Sequence, residues 1–464
     1  MRARGGGRRP RALAALCAAA LLLAAAPAAA QEPVPKDETS AEAPKESSFR
    51  WVFSWRGWDG LYMELSQKTG LGPAPAVSGQ EPPDTWQVPV LSLEEVKLSG
   101  RVGARLEGDA AAFATSSSLT GFDGGVDLRR ARLVLAGDSI VLVPFRYKIE
   151  VGYVPNVFNL SSAWIAIPDI AYVGTLQGGQ FQPPQGLDVI QSSLALPLME
   201  PAAPIQAIAP GTEAGLQVGR PVFGGRATWT LGLFGNGAGQ SEYGSATKGY
   251  GNVIGRATFL AIEPPRDADA SPNRLLHVGL SLGCQFASTG TIRYRSRPES
   301  YIAPYVVDTG PITSSGVETV GLEAAWVNGP FYAQAEGIHS YVQESGGTSL
   351  GFGGFYAIAS WALTGESRAY DREAGAVRRI VPRREFRFGK GEGRGALEVS
   401  IRYSYTDLND KFVHGGRLSL LMSGLTWTPL LHVRWLFNAG YGTVTGGAAD
   451  GHMAIFQTRI GVDL

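Results

Sequence analysis

The chain has 464 residues, a formal net charge of zero at pH 7 and only two cysteines. Five arginines and no acidic residue lie in the first 30 residues, so the remainder carries 36 basic and 41 acidic side chains. This excess of acid predicts no nucleic-acid partner, because such a partner is bound through a surplus of lysine and arginine. Cys284 is the only cysteine after residue 30, which excludes an internal disulfide there.

The first 48 residues predict an exported protein with a disordered leading segment. Residues 1–30 combine a basic start, an apolar core and a small-residue cleavage site, which is the pattern of a signal peptide. Residues 31–48 are rich in Pro, Glu, Lys and Ser, and we expect them to form a disordered periplasmic tail. The sequence after residue 30 contains no run of about 18 apolar residues, so no transmembrane helix is expected.

From residue 49 onward, short segments of alternating apolar and polar residues follow one another, separated by Gly, Pro, Asn and Asp. In FRYKIEVGY (145–153), aromatic and aliphatic side chains fall on one side, with Arg146, Lys148 and Glu150 on the other. This alternation predicts a β-strand with two different faces, and about 16 segments show it. Across these segments, the polar face carries the basic residues Arg101, Arg105, Arg130, Arg132, Arg146, Lys148, Arg226, Arg402, Arg434 and Arg459.

Two long connections interrupt the alternating pattern. Residues 183–212 are rich in Pro, Ala and Leu, and fit either a constriction loop folded inward or an ordinary surface loop. Residues 366–395 fit either a solvated loop or one that contacts lipopolysaccharide or gathers anions. The latter span is dense in arginine, with Arg378, Arg379, Arg383, Arg384 and Arg387.

Two architectures produce this pattern, a soluble β-sandwich and a transmembrane β-barrel with a wet lumen. The segments match the roughly 9 to 11 residues of a tilted membrane-spanning strand, and aromatic residues lie near their ends. The last segment, AIFQTRIGVDL, is itself an alternating strand suited to closing a barrel, although it ends on Leu464 rather than an aromatic residue. We therefore predict an all-β fold, with residues 49–464 forming a transmembrane antiparallel β-barrel of about 16 strands.

Several segments, taken in order and spacing, carry a family resemblance. They are RRARLVLAG, GGQFQPPQGLDVIQSS, VNGPFYAQAEG, SWALTGESRAYDR, GALEVSIRYSYTDLND and the pair LTWTP and VRWLFNAGYG. Together they resemble the phosphate-selective porins O and P of bacterial outer membranes, over most of residues 49–464. The resemblance implies a 16-stranded barrel, usually a homotrimer, with inward loops that narrow an arginine-lined pore favouring anions. Members often carry lysine where this chain has Gln182, and the chain has only eight lysines, so anion preference is implied more directly than phosphate specificity.

The polar face predicts a path for anions, because guanidinium stays charged and offers planar donors to phosphate or carboxylate. We expect Arg101, Arg105, Arg130, Arg132, Arg146, Lys148, Arg226, Arg402 and Arg434 to line it. The expected function is passive diffusion of small anions such as phosphate, in contact with outer-membrane lipid and lipopolysaccharide. Alternatively, these arginines only fill the lumen wall as neutralised residues, described below as lumen padding. Their partners would then be Glu107, Glu150, Glu323, Glu336 and Glu398. A general porin without a binding site and a structural barrel plugged by its own loops remain alternatives.

Nothing in the sequence points to an enzyme, a cofactor or a metal site. The five histidines are scattered without the spacing of metal ligands. No histidine and serine can be paired as base and nucleophile from the strand pattern, and the glycine-rich segments at 235–240 and 389–395 lack a strand-to-helix context. The sequence therefore predicts a channel without catalytic residues.

Overall fold

The computed structural model describes residues 48–55, 61–68, 97–140, 143–154, 157–235, 246–248, 251–264, 274–387 and 393–464. The predicted signal peptide (1–30) and the predicted tail (31–48) lie outside the described residues, apart from Ser48. Ser48 begins the first strand, one residue before the start predicted for the barrel domain.

The described chain is almost entirely β-strand. In chain order the strands are β1 (Ser48–Trp55), β2 (Leu61–Lys68), β3 (Lys97–Thr115), β4 (Gly125–Ile140), β5 (Pro144–Val154), β6 (Val157–Ile170), β7 (Gly174–Phe181), β8 (Glu213–Val222), β9 (Ala227–Gly235), β10 (Ala246–Lys248), β11 (Gly251–Ile262), β12 (Arg274–Arg293), β13 (Arg295–Ser296), β14 (Val307–Asp308), β15 (Ile312–Asn328), β16 (Phe331–Glu344), β17 (Ser349–Ala362), β18 (Tyr370–Asp371), β19 (Ala376–Val377), β20 (Ala396–Asp410), β21 (Val413–Leu430), β22 (Val433–Thr445) and β23 (Gly451–Asp463). Two short helices, Leu187–Ile190 and Ala203–Ile208, complete the described elements. Neither helix is long or apolar enough to cross a membrane.

Sixteen of these strands, β3–β9, β11, β12, β15–β17 and β20–β23, close into one antiparallel barrel. The closing pair is β23 with β3, from Met453 opposite Thr115 to Asp463 opposite Arg105. This pairing leaves the first residues of β3 beyond the end of β23, and the β1–β2 hairpin pairs with them there. The prediction of a transmembrane β-barrel with about 16 strands is confirmed.

The connections lie at two ends of the barrel. The turns 171–173, 223–226, 329–330 and 431–432 lie at the C-terminal end, where Leu464 also lies. Three longer segments contact inward-facing strand residues. We call residues 182–212, between β7 and β8, the inner loop, and residues 294–311, between β12 and β15, the mouth loop; both start from the opposite end. We call residues 363–387 the strap; it follows β17 and starts from the C-terminal end.

The two faces of the strands have the predicted character. On β5, Ile149 and Val151 are exposed on the outside, whereas Glu150 between them is buried inside. Large exposed apolar residues also cover most of the other strands of the barrel, among them Leu233, Leu322, Phe355, Tyr403, Phe437 and Ile460. An arginine or lysine on such a belt costs about 2–4 kcal/mol at the bilayer midplane, which explains why the basic residues alternate onto the other face.

The main apolar core lies inside the barrel rather than between two sheets. Leu198, Ile205 and Ile208 of the inner loop pack with inward-facing strand residues such as Phe352 and Met422. The polar-inside pattern predicted from the sequence therefore holds for only part of the wall. Where the inner loop covers β16, β17 and β21, many inward positions are apolar, such as Ile338, Phe352 and Met422, because they contact protein instead of water.

Candidate functional site

Glu200 fixes the inner loop to the barrel wall. Its carboxylate accepts hydrogen bonds from Arg129 Nε (2.8 Å) and Nη2 (2.9 Å) on β4, and from the Arg459 guanidinium on β23. Arg459 also pairs with Asp109 on β3. Burial alone would raise the pKa of Glu200, but the positive charges of Arg129 and Arg459 outweigh it and lower the pKa to about 2.

Four further basic residues bind the inner loop mainly through its backbone or a hydroxyl. Arg434 Nη2 donates to the Leu196 carbonyl (2.8 Å), and Arg368 of the strap donates to the Ala195 carbonyl (2.6 Å). Arg105 Nη1 donates to Ser193 Oγ (2.8 Å) and also pairs with Glu107. Arg402 donates to the Glu200 carbonyl (2.9 Å) and pairs with Glu299 of the mouth loop. These guanidiniums therefore position the loop.

The start of the inner loop is anchored on the opposite wall by Glu336 of β16. Its two carboxylate oxygens accept the backbone N–H groups of Leu187 (2.8 Å) and Asp188 (2.7 Å), at the N-terminus of the helix Leu187–Ile190. Gly186 precedes this helix with φ 97°, and a Cβ there would lie 2.7 Å from Glu336 Oε2. Glycine is thus required both by its backbone conformation and by the close approach.

The inner loop leaves almost no space against β3, β22 and β23. The cavity lined by Arg105, Ser193, Arg434 and Arg459 measures ≈ 10 Å³. One water molecule needs at least about 10–15 Å³, so this cavity does not hold a hydrated anion.

Arg132, Arg146 and Lys148 remain partly accessible on the inward face of β4 and β5. Their side chains are 18%, 31% and 34% exposed, respectively. Arg132 Nη1 and Lys148 Nζ each lie 2.7 Å from Glu150, so one carboxylate is shared between two cations. We call these three residues the basic strip. Further polar side chains continue this inward face on β7, β8 and β9, where Gln177, Gln217 and Thr230 are partly buried.

The other residues that were predicted to line the anion path lie in surroundings different from those of the basic strip. Arg101 is exposed on β3, level with Lys148 through Ala136 of the strand between them. Arg130 is buried and pairs with Glu107 (2.8 Å); together with Arg402 and Arg434 it is covered by protein and does not line an accessible path. The placement of Arg226 in the lumen is wrong.

Arg226 lies in the turn between β8 and β9, outside the regular alternation. Its guanidinium carbon is 5.0 Å from the ring centroid of Phe259, which is exposed on the outer face, and its Nε donates to the Leu260 carbonyl (3.1 Å). The prediction extended the period of two through Arg226, but β9 begins only at Ala227. A turn residue is free of that period, and here its side chain reaches the outside.

The acidic residues weighed as lumen padding do pair with basic groups or cap the backbone. Glu107 contacts three basic side chains and Glu150 contacts two, while Glu398 pairs with Arg368 (2.7 Å). Glu323 pairs with Arg256 and lies 2.8 Å from His277 Nε2. The buried arginines of this set are therefore neutralised by carboxylates, whereas the basic strip stays partly accessible.

The mouth loop, which was not predicted from the sequence as a site, carries a second basic cluster. Arg295 lies 4.0 Å from the ring centroid of Tyr305, and Arg297 lies 4.7 Å from Tyr305 and 4.8 Å from Tyr301. Arg129 stacks on Tyr301 as well (4.2 Å). Among the described residues, neither Arg295 nor Arg297 pairs with a carboxylate, and the buried Nε of each has no hydrogen-bond partner. The alternation of arginine in TIRYRSRPES could have revealed this cluster.

The arginine-dense span 366–395 has two parts in the described residues. Its first part is the portion of the strap that enters the barrel, where Arg256 donates to the carbonyls of Ala374 (2.9 Å) and Gly375 (2.8 Å). In the second part, Arg379 pairs with Asp463 (2.9 Å) at the C-terminal end. Arg378 pairs with Asp371, and Arg383, Arg384 and Arg387 are exposed. The predicted contact with lipopolysaccharide remains a prediction.

Within the described part of the chain, no group of three His, Cys, Asp or Glu side chains is arranged to hold a metal ion. The closed barrel, its apolar outer belt and its basic inward strip define a porin-type protein of the bacterial outer membrane. The sequence model of the phosphate-selective porin O and P family matches residues 101–459. The chain belongs to this family.

Individual relatives cover less of the sequence. An uncharacterised protein of Caulobacter vibrioides is 29% identical over 330 residues, which are 69% of this chain and 63% of that protein. Porin O of Pseudomonas aeruginosa is 34% identical over 92 residues, 19% of each chain. The matches thus span less than two thirds of either relative. The solved anion-selective porin from Comamonas acidovorans has the same fold, with a TM-score of 0.50, 11% identity and coverage of 79% of this chain and 99% of that one.

Proposed function

We propose that this chain is an outer-membrane channel for passive, anion-favouring diffusion of small solutes such as phosphate. The observation that carries the proposal is the basic strip, since Arg132, Arg146 and Lys148 keep accessible charge on the wall that the inner loop does not fill. An anion that leaves water needs replacement donors at each step, and conduction also requires weak enough binding for release. The cations of the basic strip are partly neutralised by carboxylates and partly exposed, so they meet both requirements.

The mouth loop supports the same proposal from the opposite end of the barrel. Arg295 and Arg297 present guanidiniums that are stacked on tyrosine rings and have no described carboxylate partner. Stacking fixes the plane of a guanidinium, and apart from Arg297 Nη1, which donates to the Tyr301 carbonyl, the terminal N–H groups can donate to phosphate or carboxylate oxygens. A solute would meet this cluster first and the basic strip later. No covalent chemistry and no energy input are required.

The proposal includes the surroundings of the barrel. The apolar belt would contact outer-membrane lipid, and the barrel end that faces outward would contact lipopolysaccharide. We also propose a homotrimer, as in the sequence-based expectation. Cross-linking of the detergent-solubilised protein followed by mass measurement tests the trimer independently of transport.

The double substitution Arg132→Ala with Arg146→Ala tests the anion path. It removes two of the three cations of the basic strip, so the reversal potential in a KCl gradient should move toward that of an unselective pore. Arg226→Ala is the matched control, because it removes the same charge from the outer side of a turn and should leave the reversal potential unchanged. Unaltered ion selectivity in the double variant would eliminate the basic strip as the selectivity determinant.

A second candidate function is a structural barrel closed by its own segments. The observation that favours it is the filling of the lumen by the inner loop, the mouth loop and the strap. The two functions differ in planar-bilayer recordings. A closed barrel gives no conductance steps, a general porin gives steps without selectivity, and the proposed channel gives steps with an anion-selective reversal potential.

A further inference from the structure

The strap crosses the lumen and carries a carboxylate to the basic strip. It leaves the wall after β17, and its tip docks on β9, where Thr228 Oγ1 donates to the Arg372 carbonyl (2.9 Å). Beyond this contact, Glu373 Oε1 reaches Arg146 Nη1 on β5 (2.5 Å). The tip therefore spans from the wall at β17 to the accessible cations on the other side.

The position of Glu373 within the tip is well defined. Asp371 Oδ1 accepts the backbone N–H groups of Glu373 (3.0 Å) and Ala374 (2.9 Å), which closes the turn. At its base, Tyr370 Oη lies 2.7 Å from His277 Nδ1 on the wall. These contacts do not involve the Glu373 carboxylate, so the carboxylate can be altered without removing the turn that presents it.

The ion pair itself is open to water. Glu373 is 55% exposed and Arg146 is 31% exposed, and the second acidic neighbour of Arg146, Asp138, is 3.4 Å away. Carboxylate and phosphate oxygens use the same guanidinium donors, so a passing anion and Glu373 cannot both occupy them fully. Exposed ion pairs hold weakly, which permits such an exchange.

We propose that Glu373 is a specificity-determining residue that acts as a resident competitor for anions at Arg146. Its carboxylate occupies Arg146 between solute passages, weakens the binding of each anion there and returns when the anion leaves. This inference rests on the proposed anion path. It adds that Glu373 limits the affinity of Arg146 for anions near the C-terminal end of the barrel. A porin that must release its solute gains from such a competitor, because tight binding would slow conduction.

The test uses the full chain in planar bilayers with inorganic phosphate as the probe. Glu373→Gln keeps the size of the side chain and removes its charge, so the half-saturating phosphate concentration should fall about two- to five-fold, the range expected for one exposed ion pair. Glu263→Gln is the matched control. Glu263 pairs with Arg372 in the same tip (2.8 Å) but does not contact Arg146, so its half-saturation should match the wild type.

A double-mutant cycle separates competition from simple docking of the strap. In an Arg146→Gln background, Glu373→Gln should have no further effect on phosphate half-saturation, because the shared site is gone. If Glu373 only holds the strap, Glu373→Gln and Glu263→Gln would raise the current of all ions alike without changing half-saturation, and the inference is overturned. An anion-selective wild type with unchanged half-saturation in Glu373→Gln also overturns it, while the proposed function stands. An unselective wild type overturns both.

Discussion

Glu200 holds the inner loop through two buried guanidiniums, so Glu200→Gln should release the loop from the wall at β4 and β23. The substitution removes the charge that faces Arg129 and Arg459 while keeping an amide oxygen of the same size. Both arginines are almost fully buried, and loss of one partner of a buried ion pair costs about 3–5 kcal/mol.

The depressed pKa of Glu200 gives a second route to the same magnitude. A fall from the ordinary value of 4.5 to about 2 corresponds to roughly 3 kcal/mol of extra stability for the charged form in the folded protein. Because the folded pKa is lowered, this stability is fully present above about pH 4.5 and is lost as the pH falls toward 2. A change of roughly 3 kcal/mol shifts the balance between docked and released loop on the order of 100-fold.

Single-channel recording measures the outcome. At neutral pH, Glu200→Gln should show larger or noisier conductance steps than the wild type, and the wild type should reach this behaviour only as the pH approaches 2. Asp109→Asn is the matched control: it removes a carboxylate from the same Arg459 but leaves the contact with the loop. Wild-type conductance and noise in Glu200→Gln would refute the role of Glu200 as the loop anchor.

Two further predictions concern the mouth loop and the outer belt. Arg295→Gln with Arg297→Gln should weaken the block of the chloride current by phosphate about two- to five-fold when phosphate is added at the barrel end that carries the mouth loop. The effect should be smaller when phosphate is added at the C-terminal end, because the cluster lies at one end only. Equal effects from both sides would contradict this position. Leu322 is 63% exposed on the outer face of β15, so Leu322→Arg should destabilise the folded barrel in lipid by about 2–4 kcal/mol. Thr319 lies on the inward face of the same strand, so Thr319→Arg should carry no penalty for exposing a charge to lipid. Urea titration in lipid vesicles gives both values, and equal penalties for the two sites would show that the faces are misassigned.

The strands could be predicted because their signal is local. In FRYKIEVGY, each residue faces opposite to its neighbours, so the sequence alone separates Arg146 and Lys148 from Ile149. The same rule is wrong at Arg226, since the strand starts one residue later and a turn does not follow the alternation. Closure into a barrel could be predicted because a membrane-spanning sheet leaves no edge unpaired.

The partners of the lumen arginines could not be predicted, because they come from distant parts of the chain. Arg459 and Glu200 are 259 residues apart, and Arg402 and Glu299 are 103 apart. No periodicity links such pairs; they meet only when the loops fold into the barrel. For the same reason, the sequence left open whether residues 183–212 turn inward, and it did not indicate that the strap would bring Glu373 to Arg146.

We propose that accessible cations on β4 and β5 make the lumen favour anions. The most direct test is the reversal potential of the purified wild-type chain in a planar bilayer with a KCl gradient. We expect stepwise conductance and a reversal potential of the sign set by chloride, reduced when phosphate competes for the basic strip. Conductance with a zero or cation-selective potential, or an absence of steps, would contradict it.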